Sequence, residues 1–119
     1  MLLVSRDLGV VAHYCDLVAV MYAGQIVEKA KIAPFFSNPI HPYSKQLLRS
    51  AAAARDHNVA DQRITSLLPP ATVGCAYAPR CQYSEPGCEQ ALVDLTVRDD
   101  GHLVRCLRQD DISRGLVSV

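Results

Sequence analysis

Four of the five cysteines of this chain fall within one short segment, from Gly74 to Cys106. They are Cys75, Cys81, Cys88 and Cys106, separated by five, six and seventeen residues. Proline and glycine lie between the thiols, and the segment has no long apolar run, so it has little with which to build a hydrophobic core. Its turns therefore need another source of stability, either a bound metal centre or a set of covalent cross-links.

The spacing of these thiols bears on which centre they suit. Structural zinc sites usually take their ligands in close pairs, about two to four residues apart, and no pair here is that close. Iron–sulfur clusters accept wider and irregular spacing, because each thiolate binds a different iron atom. The spacing favours a four-cysteine iron–sulfur cluster over zinc, and it leaves disulfides and idle thiols as further alternatives.

Three arginines, Arg80, Arg105 and Arg108, accompany the cysteines. Their positive charge would favour thiolates and offset the negative charge of a cluster. The alternative is that they are solvated surface side chains. No acceptor site for electron transfer is evident, so a cluster here is expected to be structural.

Composition excludes several classes of protein. The 119 residues suit one domain, and their formal net charge of zero gives no basic excess for binding nucleic acid or anionic lipid. No apolar run approaches the ~20 residues of a membrane-spanning helix. The N-terminus has no basic start, and Arg6 and Asp7 interrupt its apolar stretch, so we expect no signal peptide. We therefore expect a reducing compartment, which favours thiolates that hold a metal over disulfides.

The N-terminal half is predicted to contain short strands and helices. Met1–Val4 is apolar throughout and predicts a buried strand. Ser5 or Asp7 caps a helix predicted to run to about Cys15, which is itself expected to be a small buried residue on the apolar face of that helix.

A hairpin and two helical segments are predicted to follow. Leu17–Ala23 predicts a strand, Gly24 and Gln25 a tight turn, and Gln25–Lys29 the partner strand. Lys31–Phe36 predicts a helical turn, and the run from Pro42 to Ala54 predicts a helix.

The C-terminal half is less regular. Arg55–Gln62 predicts a polar linker. Val93–Val97 and His102–Cys106 predict two short strands joined by a turn, and the tail from Leu107 has little pattern.

No catalytic motif is present in these 119 residues: there is no G-x-x-x-x-G-K-[ST], no G-x-G-x-x-G and no H-E-x-x-H. His41 and Ser44 are interpreted as helix-capping or turn residues. His57 and His102 are predicted to be solvated.

Three motifs, in order, resemble one family of ABC-transporter ATPase subunits. VSRDLGVVAHYCDLVAVMYAGQIVEKA resembles the segment around the switch-histidine loop. NPIHPYSKQLL resembles the motif that opens the C-terminal extension of oligopeptide, dipeptide and nickel transporter ATPases, and GCAYAPRC…C…VRC is similar to the segment that ends these subunits. The resemblance covers residues 1–108.

The resemblance implies an α/β fragment. Residues 1–38 would be a C-terminal remnant of the ABC ATPase domain with a strand, a helix and a hairpin. Residues 39–62 would be the HPY helix and linker, residues 63–108 an irregular cysteine-rich extension, and residues 109–119 a tail.

The resemblance also implies a function and a cofactor. Family members are peripheral proteins on the cytoplasmic face of the inner membrane, where two ATPase subunits bind ATP and drive uptake of peptide or nickel through two membrane subunits. Several members carry a 4Fe–4S cluster on their C-terminal cysteines. The resemblance thus assigns Cys75, Cys81, Cys88 and Cys106 as cluster ligands, with zinc as the alternative.

Two departures limit what the chain is expected to do. The phosphate loop, glutamine loop, signature motif and magnesium-positioning strand of the family precede the position of Met1, and Arg6 stands where the family has its switch histidine. Arg6 and Asp7 would lie near nucleotide, but Arg6 has no acceptor nitrogen. We expect no ATP hydrolysis by this chain alone, and ATP binding only within a complete subunit. The alternatives are a stand-alone iron–sulfur or zinc-binding interaction module and a gene remnant without function.

Overall fold

The structure is a computed structural model that describes residues 2–54, 70–71, 73–99 and 101–113. These residues form a small α/β protein with one antiparallel sheet in the strand order β1-β2-β4-β3. None of the helices among them has the length and apolar character needed to cross a bilayer. The elements are α1 (Leu8–Tyr14), β1 (Leu17–Tyr22), β2 (Gln25–Lys31), α2 (Ile32–Ser37), α3 (Pro42–Ala54), α4 (Gly87–Gln90), β3 (Thr96–Val97), β4 (Leu103–Val104) and α5 (Gln109–Ser113).

The N-terminus differs from the prediction of a buried strand. Leu2 and Val4 are 90% and 89% exposed, and the segment from residue 2 to residue 4 forms no strand. The prediction was wrong for these residues, because an apolar strand is stable only where neighbouring strands pair with it and cover it.

Helix α1 begins at the predicted cap. The Asp7 Oδ1 atom accepts hydrogen bonds from the backbone N–H groups of Gly9 (2.9 Å) and Val10 (3.3 Å). The helix ends at Tyr14, and Cys15 is its C-cap, partly rather than fully buried. The predicted helix is therefore confirmed, while the full burial of Cys15 is not.

The predicted hairpin of β1 and β2 is confirmed, with Leu17 opposite Lys31 and Tyr22 opposite Gln25. Its turn lies at Ala23 and Gly24, whose φ angles are 48° and 82°. Positive φ at both central residues is typical of the two-residue turn that matches strand twist. Gln25 was predicted both as a turn residue and as the first residue of the partner strand; it pairs with Tyr22 as the first residue of β2, so only the second placement is confirmed.

Helices α2 and α3 cover one face of this hairpin. Val20, Val27, Ala30 and Phe35 form a buried cluster, and side chains of α3 pack against it. Phe35 and Val27 are completely buried. This cluster is the hydrophobic core of the N-terminal half.

The two halves of the chain share the sheet. Strand β4 pairs with β2, placing Val104 opposite Glu28, and β3 pairs with β4. Both predicted C-terminal strands are present but are only two residues long. The tail contains α5, which its sequence pattern did not predict, and the predicted linker Arg55–Gln62 lies outside the described residues.

Candidate functional site

The turns that carry the cysteines are fixed by backbone contacts. The Cys75 N–H donates to the Cys88 carbonyl at 2.8 Å. The preceding residue, Gly74, has a φ of 77°, and a Cβ atom there would lie 2.2 Å from the Cys88 carbonyl oxygen. Only glycine combines that φ with so close an approach of two backbone segments.

Two short helical turns place the next cysteines. A 3-10 helix spans Ala78–Arg80, and Cys81 follows as its C-cap with its N–H donating to the Ala78 carbonyl. Cys88 lies in α4 and is buried. Cys106 lies two residues after the end of β4, so its position is set by the shared sheet.

All four cysteines of this segment line a single cavity, which has a volume of about 20 Å³ and is partly open to solvent. Cys75 and Cys88 are buried, while Cys81 and Cys106 are partly buried. The other side chains that line it come from the start of α3 and from the same irregular segment: His41, Pro42, Ala78, Tyr83, Leu107 and Arg108.

The thiols influence one another electrostatically. Burial raises the pKa of Cys81 to about 11 and that of Cys106 to about 12, and the neighbouring cysteines add to both shifts. Burial also raises the pKa of Cys75. All five cysteines of the chain are free thiols. In the metal-free chain, the three shifted groups are therefore protonated at neutral pH.

Within the described residues, no three His, Cys, Asp or Glu side chains are gathered so that they could hold a metal ion. The four thiols thus surround a common space without converging on one point.

The three arginines near the cysteines have distinct partners. The Arg105 guanidinium donates to the backbone carbonyls of Ile26 (2.9 Å) and Val93 (2.7 Å). Arg108 donates to the Tyr83 carbonyl at 3.1 Å. These two arginines are partly buried and bind backbone, so the interpretation of them as solvated side chains was wrong.

Arg80 contacts an aromatic cluster that joins the hairpin to the cysteine segment. Its guanidinium carbon lies 5.6 Å from the centre of the Tyr22 ring. Tyr22 packs against Tyr43 and Tyr77, with ring centroids 4.7 Å and 5.2 Å apart. The aromatic contacts hold β1, α3 and the first cysteine turn together.

A buried carboxylate adds a second connection between the halves. Glu28 is fully buried and accepts hydrogen bonds from the backbone N–H groups of Ile40 and His41, the latter at 2.7 Å. Its other oxygen lies 2.9 Å from His102 Nδ1. His102 is 2% exposed, so the prediction that it is solvated was wrong.

His41 is the second residue whose surroundings the sequence did not reveal. It caps α3 as predicted, because its Nδ1 atom accepts from the Tyr43 N–H at 3.0 Å. Its Nε2 atom lies 3.8 Å from Cys75 Sγ. A histidine that precedes an N1 proline indicates a cap, but its contact with a cysteine 34 residues away has no local signal.

Arg6 and Asp7 lie at the start of α1 and are not among the residues that line the cysteine cavity. Both are exposed, and Asp7 serves as the helix cap. The structure therefore brings together the four predicted metal ligands around one cavity and leaves the two predicted nucleotide-proximal residues apart from them.

Comparisons with known proteins identify relatives of the chain. Residues 27–88 match the family described as oligopeptide/dipeptide transporter, C-terminal region. A putative peptide import ATP-binding protein of Brucella ovis is 38% identical over 122 residues, which cover 95% of this chain and 36% of that protein. The dipeptide transport ATP-binding protein DppF of Haemophilus influenzae is 39% identical over 114 residues, covering 90% of this chain and 34% of the relative.

A third relative is the oligopeptide transport ATP-binding protein AppD of Bacillus subtilis, which is 36% identical over 122 residues. That match covers 92% of this chain and 34% of AppD. The chain thus spans about a third of the length of the curated relatives it matches.

Proposed function

Because the chain belongs to the oligopeptide/dipeptide transporter C-terminal-region family, we propose that it forms part of the ATP-binding subunit of a peptide importer. Its relatives are named for peptide, dipeptide and oligopeptide transport. In this proposal the chain is peripheral at the inner face of the membrane and acts with membrane subunits and a partner ATPase subunit. Nickel remains a further prediction for the transported substrate.

The proposal assigns the chain a structural rather than a hydrolytic role. Phosphoryl transfer depends on a phosphate cradle and bound magnesium, and these 119 residues contain no phosphate-loop motif. Arg6 is exposed and cannot accept a hydrogen bond from water as a histidine can. The chain alone is therefore expected to hydrolyse no ATP.

An assay of phosphate release by the purified chain tests this role. The expected rate equals that of a blank without protein. Hydrolysis above the blank that disappears in Arg6→Ala would contradict the structural role. Hydrolysis that survives Arg6→Ala would indicate a contaminating ATPase.

The cysteine-rich extension is proposed to hold a 4Fe–4S cluster. The observation that carries this proposal is that Cys75, Cys81, Cys88 and Cys106 line one cavity. Their wide and irregular spacing in the sequence suits a cluster whose four irons each bind one thiolate better than it suits a single zinc ion. A cluster would tie three irregular turns to β4 and supply the stability that a small apolar core does not.

Anaerobic purification with iron, sulfide and zinc analysis tests the cofactor. We expect a brown protein with about four irons per chain, and loss of the visible absorbance in Cys81→Ser. Cys15→Ser is the matched control, because Cys15 caps α1 and does not line the cavity. A colourless protein with stoichiometric zinc, or equal iron in Cys81→Ser and Cys15→Ser, would contradict the cluster.

A further inference from the structure

Strand β1 lies at one edge of the sheet, because the strand order is β1-β2-β4-β3. Among the described residues it pairs only with β2, so the backbone groups along its other side have no strand to bond. Natural edge strands are usually protected by lysine, proline or a bulge. The sequence of β1, LVAVMY, has no charge and no proline, and the extra residue in its ladder with β2 is Val27, which belongs to β2. This edge is therefore open to a further strand.

The two faces of β1 differ in exposure. Val18 and Val20 belong to the buried cluster that α2 and α3 cover. Leu17 and Met21 are 55% and 61% exposed, and Ala19 between them is exposed as well. Because alternate residues of a strand share a face, these three side chains form an apolar row on the uncovered face of the sheet.

Strand β1 is complementary to itself in one antiparallel register. When two copies pair about a two-fold axis at Ala19, Leu17 of one copy lies opposite Met21 of the other, and Val18 lies opposite Val20. Side chains of the same face then meet, as antiparallel pairing requires. The uncovered face gains Leu–Met pairs and the covered face gains Val–Val pairs, and apolar cross-strand pairs stabilise a sheet.

The two ends of β1 carry opposite charges. Asp16 precedes the strand and is exposed, whereas at the other end the Arg80 guanidinium carbon lies 5.6 Å from the centre of the Tyr22 ring. Arg80 and Arg6 both act electrostatically on Tyr43, whose ring centroid is 4.7 Å from that of Tyr22. In the register described above, Asp16 of one copy lies opposite Tyr22 of the other. Each acidic end therefore meets a basic end, once on either side of the two-fold axis.

We propose that two copies of the chain associate through β1, which pairs with β1 of the second copy about a two-fold axis at Ala19. The two sheets then form one continuous sheet with β3 at each end. The formal net charge of zero adds no general repulsion between the copies. One pair of strands buries less than the ~1,600 Å² of a standard interface, so we expect a weak dimer that depends on protein concentration. The contact is independent of the proposed transport function and of the proposed cluster, because no cysteine lies in β1.

Sedimentation of the full chain over a range of concentrations tests the association. A reducing agent is present so that no disulfide joins Cys15 of two copies. The apparent mass should rise with concentration from 13.0 kDa toward twice that value, and hydrogen exchange of the β1 amides should slow over the same range. A mass that stays at 13.0 kDa at every concentration would overturn the proposal. A mass that grows beyond twice this value would also overturn it, because it indicates open-ended association through other surfaces.

Ala19→Glu tests the position of the axis without disturbing the fold. Ala19 is exposed and lies opposite Lys29 of β2, so the new carboxylate has a cross-strand partner within its own copy. Across the axis it faces an identical carboxylate, and we expect the dimer to weaken at least about ten-fold. Ala91→Glu is the matched control, since Ala91 is an exposed alanine outside β1 and its variant has the same net charge.

A mixture of Ala19→Glu and Ala19→Lys sharpens this test. Each variant alone brings like charges together at the axis, whereas the mixture brings opposite charges together and should recover the dimer. A dimer that Ala19→Glu and Ala91→Glu leave equally strong, or a mixture no tighter than the separate variants, would overturn the pairing at Ala19.

Asp16→Lys tests the charged ends of the strand. It places a cation near Arg80 of the second copy and should weaken the dimer several-fold. Asp94→Lys is the matched control, because Asp94 is exposed outside β1 and its variant has the same net charge. Equal dimerisation by the two variants would overturn the proposed register.

Discussion

Residues 2–22 and the segment from Gly74 to Cys106 differ in how they are held in the structure. The first region contains a regular helix and strand, yet among its large side chains Tyr14, Leu17 and Met21 are exposed, and so are Leu2 and Val4. The second has only short helical turns and two-residue strands, yet it buries Cys75, Tyr77, Tyr83, Cys88, Val93, His102 and Val104.

This contrast shows that regular secondary structure and burial have separate causes in this chain. The exposed side chains of β1 alternate with buried or partly buried ones, so the strand offers one face to α2 and α3 and leaves the other uncovered. The cysteine segment buries a second apolar cluster, which its irregular turns bring together from Cys75, Tyr77, Ala78, Cys88 and Val93. Polar contacts from the Glu28 carboxylate and the Arg105 guanidinium, and the close approach at Gly74, fix these turns in place.

The largest loss of stability is expected from changing Glu28, whose carboxylate anchors the cysteine segment. Glu28→Ala removes the acceptor of two backbone N–H groups and leaves His102 buried without its carboxylate. We expect the free energy of unfolding to fall by about 3–5 kcal/mol, as for other broken buried pairs. Urea titration of the metal-free chain measures it.

Glu85→Ala is the matched control for Glu28→Ala. Its carboxylate is about half exposed and lies 4.0 Å from Arg108, so its loss should change stability by less than about 1 kcal/mol. If Glu28→Ala does not fold, Glu28→Gln retains one acceptor oxygen and should give an intermediate loss. Equal stability of the Glu28 and Glu85 variants would show that the Glu28 contacts do not anchor the cysteine segment.

The next effect is expected at the first cysteine turn. Gly74→Ala combines a left-handed φ with a methyl group 2.2 Å from a backbone oxygen, so the turn must open. We expect a loss of about 2–4 kcal/mol by thermal or urea unfolding. Gly24→Ala has a similar φ of 82° with no atom within 4 Å and should lose only about 1 kcal/mol. Equal losses would show that the close approach to Cys88 is unimportant.

A smaller effect is expected from pH through His41. Its pKa is about 4 in the folded chain, below the ordinary 6.5 of the unfolded chain. The unfolded state therefore binds more protons between these values, and stability falls as the pH is lowered through that range. The loss attributable to His41 between pH 7 and pH 5 should be about 2 kcal/mol.

His41→Asn isolates this contribution, because it keeps a capping side chain and removes the titrating ring. The metal-free variant should lose less stability than the unsubstituted chain when urea titrations at pH 7 and pH 5 are compared. Parallel losses in the two proteins would show that His41 is not held neutral by its surroundings.

Local sequence pattern predicted α1, α2, α3 and the hairpin but neither α4 nor α5, and it failed where distant residues meet. The capping role of Asp7 and His41 is visible because cap and helix are adjacent in sequence. The burial of His102 depends on Glu28, 74 residues earlier, and a histidine between Gly101 and Leu103 carries no local sign of that partner. The strand predicted at Met1–Val4 failed for the same reason, since its character depends on neighbours and not on its own composition.

The smallest change in stability is expected at the N-terminus, where it tests whether the apolar side chains of the first region are exposed. Leu2→Ser and Val4→Thr together should change the free energy of unfolding by no more than about 0.5 kcal/mol, because both side chains are about nine-tenths exposed. Val27→Ala is the control, since that fully buried core residue should lose more than about 1 kcal/mol. Urea titration at several protein concentrations measures both losses. If the double variant loses as much stability as Val27→Ala, the exposure of Leu2 and Val4 is contradicted. If that loss grew with protein concentration, it would instead indicate that Leu2 and Val4 are covered by a second copy of the chain, as unpaired apolar strand segments tend to be.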